Sequence, residues 1–193
     1  MNWGKRLSMA LDRFTAADIL DRLAKDRDPA IRKAVAGNPN APATALSRLA
    51  TDSWPAVRQL VAVHRSAPPS ALAKLARNKK DIDTRRYVAR NPSTPAEVLA
   101  GLAGDPDAGV RYWVAWSPNL PLKALEGLAS DPSEEVRQKA LEMLADRGAP
   151  QADPQPQTPA VSALREPDAP AVHRAADGTM AGGLWEQPPS EPI

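Results

Sequence analysis

One pattern constrains this chain more than any other: Leu-x-x-Leu-Ala-x-Asp, then five residues later Val-Arg-x-x-Val-Ala, returning in near-constant register. The leucine pairs are Leu20/Leu23, Leu46/Leu49, Leu72/Leu75, Leu99/Leu102 and Leu125/Leu128, and their first members lie 26, 26, 27 and 26 residues apart. The second half keeps phase at Ile31-Arg32, Val57-Arg58, Thr84-Arg85, Val110-Arg111 and Val136-Arg137. A period of this size marks stacked supersecondary units, each too small to bury its apolar face except against a neighbour. The reading is an all-α solenoid of five two-helix repeats over residues 15–147, with residues 1–14 as an N-terminal capping helix and 148–193 as a disordered tail.

The fourth repeat shows how the helices arise. Thr94 is expected to cap a short helix whose first position is Pro95, with Val98, Leu99, Leu102 and Ala103 as its apolar stripe. Asp105 and Pro106 are expected to start a second helix with Val110, Val114 and Ala115 inward, which Ser117-Pro118 stops because proline restricts the residue before it. Asn38-Pro39 and Asn91-Pro92 repeat that stop, and Pro42, Pro68, Pro95 and Pro121 open the next helices. Helices of two or three turns are marginal alone, so the stack must hold them. At the start, Leu7, Leu11 and Phe14 are spaced to cover the open face of the first repeat. At the other end, Glu134, Glu135, Lys139, Glu142 and Asp146 are expected to face water.

Charge and proline divide the chain. Residues 1–147 carry 23 Lys+Arg against 17 Asp+Glu, whereas residues 148–193 carry 2 against 6 together with 9 of the 21 prolines. So little apolar surface in the second segment cannot offset the entropy of ordering it, hence the expectation of disorder. The absence of cysteine excludes disulfides and thiolate metal sites. No apolar run suits a signal peptide or membrane helix, so the expectation is a cytoplasmic monomer.

The recurring Asn-Pro-x-x-Pro-x-x-x-Leu-x-x-Leu-Ala-x-Asp with x-Val-Arg-x-x-Val-Ala resembles the leucine-rich repeat variant family, bacterial helical repeats akin in style to HEAT repeats. The resemblance covers about residues 15 to 145. It implies a right-handed superhelix in which α-helices alternate with shorter, partly 3₁₀ helices. A cysteine-bound iron–sulfur cluster precedes the repeats in one nitrogen-fixation-associated member; with no cysteine here, that feature does not carry over.

Asp26/Arg32, Asp52/Arg58, Asp105/Arg111 and Asp131/Arg137 stand six residues apart across the turn between helices. Similar positions in HEAT-type repeats form a structural ladder of charge-assisted hydrogen bonds, a geometry suited to arginine's planar fork. The third repeat breaks the pattern: Asn78 replaces the aspartate, one residue is inserted, Lys79 and Lys80 follow, and Arg85 loses its expected partner. His64 and Arg65 replace Asn-Pro in the unit before. Arg85, Arg86 and Arg90, with Tyr112 and Trp116 at the equivalent positions of the next repeat, therefore define the candidate binding face, while Tyr87 and Trp113 read as packing residues.

Two function classes fit such a face: protein–protein interaction through a scaffold, with an acidic peptide carrying an apolar anchor as one form of partner, and nucleic-acid binding through phosphate contacts and base stacking. An enzyme is not expected. His64 and His173 are the two histidines, and no phosphate-binding glycine loop or nucleophile–base arrangement is present. No catalytic, cofactor or metal residues are assigned.

Overall fold

A computed structural model describes residues 1–148; the acidic, proline-rich segment lies outside the described residues. Among the described residues the secondary structure is wholly helical. The longer helices are α1 (Trp3–Leu11), α3 (Pro29–Gly37), α5 (Pro55–Val63), α7 (Ile82–Arg90), α9 (Ala108–Trp116) and α11 (Glu134–Gly148). They alternate with the shorter α2 (Ala17–Leu23), α4 (Ala43–Leu49), α6 (Pro69–Ala76), α8 (Ala96–Leu102) and α10 (Leu122–Leu128). Each longer helix packs on the next of its kind, from α1 to α11, and the shorter ones form a second row from α2 to α8. The described residues form an all-α solenoid.

The core is one continuous strip between the rows. Leu20, Leu46, Leu72, Leu99 and Leu125 reach it from the shorter helices, Ile31, Val57, Val110 and Val136 from the longer ones, all without solvent exposure. Ala36, Ala62, Ala89 and Ala115 are equally buried, small enough to let neighbouring helices of the longer row approach closely.

Several local expectations are corrected. Pro95 is itself the N-cap of α8, at φ −62° and ψ 149°, as Pro42, Pro68 and Pro121 are for their helices. Thr94 does not cap; its hydroxyl donates to the carbonyl of Val88 at 2.6 Å and closes the preceding turn. The helix after the Asp105 turn starts at Ala108, with Asp107 as cap, its carboxylate accepting from the Val110 amide. The shorter helices are α-helical, with i→i−3 bonds at their ends, as from Val98 to Pro95. Phe14 is 86% exposed and Leu11 also points outward, so Leu7 and Met9, with Ala10, make the apolar contact of α1.

That helix is in phase with the repeat. Arg6 lies 26 residues before Arg32, and Asn2 caps α1 where Asp28 caps α3. Helix α1 is thus built as the second half of a unit.

Candidate interaction face

The arginine and aspartate rows cross-link neighbouring units. Arg32 donates through Nε and Nη2 to the two carboxylate oxygens of Asp52, at 2.6 and 3.0 Å, while its Nη1 donates to the carbonyls of Asp26 and Arg27. Arg111 repeats this with Asp131 at 2.7 and 2.9 Å and with the carbonyls of Asp105 and Pro106. The expected six-residue pairs therefore meet through the aspartate's backbone carbonyl, and each carboxylate receives the arginine of the unit before it. Arg6 meets Asp26 as an ion pair at 2.7 Å. Arg137, last in the row, donates to the carbonyls of Asp131 and Pro132.

The third repeat keeps the ladder by dividing the labour of its missing aspartate. In regular units one carboxylate both closes the turn, as Asp52 does by accepting from the Trp54 amide, and receives the previous arginine. Here Asn78 closes the turn by accepting from the Lys80 amide, and Asp81 receives Arg58 at 2.5 Å while capping α7. Arg85 has not lost its partner: it donates to both oxygens of Asp105 at 2.6 and 3.1 Å and to the carbonyls of Asn78 and Lys79. With 2% of its surface exposed it belongs to the ladder and not to the binding face.

These pairs bias protonation. The hydrogen bonds of Arg111 lower the pKa of Asp131 more than burial raises it. Burial pushes Asp52 and Asp107 upward, but hydrogen bonds from Arg32 and the Trp54 amide, and from Arg86 and the Val110 amide, outweigh it and leave both lowered. Hydrogen bonding to the partner carboxylates raises Arg32, Arg85 and Arg111.

A second set of cross-links runs through the Asn-Pro turns. The amide of Asn91 donates to the carbonyls of Ala62 and His64, and that of Asn38 to Ala10 and Asp12. His64 does the same work with an imidazole. Its Nδ1 accepts from the Ser66 amide at 3.1 Å, which leaves Nε2 to carry the hydrogen and donate to the Asn38 carbonyl at 2.9 Å. In the last unit Arg147 donates to the carbonyls of Ser117, Pro118 and Leu120.

The remaining face residues lie along α7, α9 and α11. Arg86 is held by Asp107, with two hydrogen bonds of 3.1 Å, and by Asp83 at 3.7 Å. Gly109 makes room for it, since a Cβ there would stand 2.9 Å from the guanidinium. The Arg90 guanidinium lies 4.3 Å from the ring centre of Trp113, which reads in sequence as a packing residue. Trp113 in turn meets Tyr112 edge-on at 5.4 Å and Trp116 at 6.5 Å. The Lys139 ammonium sits 4.1 Å from the Trp116 ring centre and pairs with Glu142. Expected in water, Lys139 is only 8% exposed because the indole covers it. Trp116 remains half exposed, and Arg90 is exposed. The arrangement is a mixed stack of cation, indole, indole and cation running across three units, a geometry that favours cations over aromatic faces.

Lys139 was missed because its repeat position holds Ala34, Leu60, Tyr87 and Trp113 elsewhere; the signal was that position, which packs on the preceding unit. Arg6 was missed although the 26-residue interval to Arg32 marks it. Among the described residues no group of three or more His, Asp or Glu could hold a metal ion, and no helix is long and apolar enough to cross a membrane.

Two rows of short helices, riveted unit to unit by arginine–carboxylate and amide–carbonyl bonds, define an α-solenoid scaffold. The family profile described as Leucine rich repeat variant matches two of these units, residues 29–53 and 82–107. A solved structure described as a leucine-rich repeat variant with a novel repetitive protein structural motif is similar at 27% identity and a TM-score of 0.58, over 74% of this chain. The present chain spans 56% of that one. Comparison with curated proteins finds no match.

Proposed function

We propose that the protein is a non-catalytic scaffold that binds another protein through the aromatic–cationic face of α9 and its neighbours. The observation that carries this reading is Trp116, half exposed and backed by Lys139 and Trp113 at a repeat position filled elsewhere by Gly37, Val63, Arg90 and Glu142. A pre-positioned indole with an arginine beside it has the chemistry of an interface anchor, because a large rigid surface is desolvated with little loss of side-chain freedom. Phosphate recognition is less favoured: Arg85 and Arg86 are already bound by Asp105 and Asp107.

Affinity purification with the full chain, compared with Trp116→Ala and Arg90→Ala, tests the assignment. Loss of the same partner by both variants at unchanged helicity is expected; retention by both would remove the face from consideration. Labelled DNA and RNA titrated at low salt decide the alternative, since phosphate binding would be tight there and weaken steeply as salt rises.

A further inference from the structure

A second surface lies on the other row of the solenoid. Between α6 and α8 runs a groove of about 880 Å³, a volume within the range of small-ligand and peptide pockets. Ala73, Ala76, Val98 and Leu102 make its walls apolar. Pro69, Pro95 and Glu97 lie at the end where both helices begin, Arg77 and Lys79 at the end where α6 finishes.

Two glycines open it. Gly101 stands where the earlier units have Arg22, Arg48 and Lys74, and Gly104 where they have Lys25, Thr51 and Arg77. Neither has a φ in the left-handed region, so the backbone does not require glycine. A Cβ on Gly101 would meet nothing within 4 Å, and one on Gly104 would meet only the Gly101 carbonyl, at 3.9 Å. Packing does not require glycine either; what the two residues accomplish is the open volume.

The charges at the rim indicate what would fill it. Arg77 and Lys79 are exposed and form no ion pair among the described residues, whereas the neighbouring Arg85 and Arg86 are both paired. Two free cations at one end of an apolar trough with no aromatic side chain along it match a carboxylate beside aliphatic groups and not a nucleobase. An eight-residue helix spans roughly 12 Å at 1.5 Å per residue, the length of about three to four extended residues.

We propose that this groove binds an extended segment of a partner protein in which an acidic side chain, placed at Arg77 and Lys79, adjoins aliphatic residues lying on Val98, Leu102, Ala73 and Ala76. The site is independent of the α9 face. The test uses the full chain and three fluorescein-labelled hexapeptides of alternating composition: aspartate–leucine, lysine–leucine and aspartate–serine. The aspartate–leucine peptide is expected to bind at least tenfold more tightly than the other two. Gly101→Leu, which fills the trough from open space, and the pair Arg77→Glu with Lys79→Glu are each expected to weaken it at least tenfold, while Trp116→Ala leaves it unchanged. Gly101→Arg, the side chain borne by the equivalent Arg48, is a second filling variant suited to the fold, and circular dichroism confirms that each variant is folded. Equal binding of the three peptides, no binding at millimolar concentration, indifference to both filling variants, or loss with Trp116→Ala instead would each overturn the proposal. So would a labelled oligonucleotide that binds the groove in place of the peptide.

Discussion

Thr84 shows how much a single atom weighs in so thin a core. It occupies the position of Ile31, Val57, Val110 and Val136, is fully buried, and its hydroxyl lies beside the Asp81 carboxylate, whose pKa it helps to lower, without reaching good hydrogen-bond geometry. Burying an unsatisfied hydroxyl is unfavourable, so Thr84→Val should stabilise the protein by about 1 kcal/mol, read as a higher urea midpoint; a lower midpoint would mean the hydroxyl is satisfied in solution. The opposite sign is expected at Asp105→Ala. That change leaves Nε and Nη2 of the Arg85 guanidinium, buried with 3% of its side chain exposed, without their carboxylate and opens the turn that Asp105 closes, and should destabilise by about 3–5 kcal/mol, whereas Asp105→Asn, which keeps an acceptor for the Asp107 amide, should lose less. If the two variants lost equal stability, the charge of the pair and not the turn would carry the effect. Sequence spacing had set Arg85 apart as unpaired, because it compared each arginine with the aspartate before it and could not see that the carboxylate it grips lies 20 residues ahead.

Among elements, the shorter helices depend on their turns. Asn91 is 4% exposed and its amide satisfies two carbonyls of the preceding unit, so Asn91→Ala should cost about 1–3 kcal/mol. His64→Asn should be nearly neutral, since Asn38 and Asn91 perform the same bonding with an amide; a loss comparable to that of His64→Ala would show that the imidazole does something the amide cannot. Helix boundaries were legible to within a residue or two from Pro and Asn-Pro. The roles of those residues were not, because proline's fixed φ suits both the N-cap and the first helical turn, and an asparagine that ends a helix looks the same in sequence whether or not its amide bridges two units.

Over the whole molecule, the ladder makes stability depend on pH in one direction. Asp52, Asp81 and Asp131 of the ladder, and Asp107 beside it, have lowered pKa values in the folded chain, so their contribution is complete above the unfolded value near 3.9 and is lost as pH falls through the folded values. The raised arginines contribute at every pH below their unfolded range and lose that contribution only in strong alkali. The melting temperature should therefore stay nearly level from neutrality to about pH 5 and fall below about pH 4. Removing the ladder carboxylates one at a time should flatten that fall, and an unchanged acid limb would show that other carboxylates govern it.

The 26-residue period by itself determined the solenoid, the two helix rows and the leucine–valine core, because stacked short helices leave no other way to bury those stripes. The resemblance drawn from the same motif is to the family whose profile matches residues 29–53 and 82–107. Only the tertiary structure decided which side chains are spent on holding the stack and which are left over. Arg85 and Arg86 are consumed by Asp105 and Asp107, Lys139 is drawn under Trp116, and Trp116 stays half exposed. The physical reason is that these bonds run from one unit to the next. A repeat motif specifies what each unit contains, but the rise and rotation between units determine which of its charges meet, and those emerge only when the units are stacked.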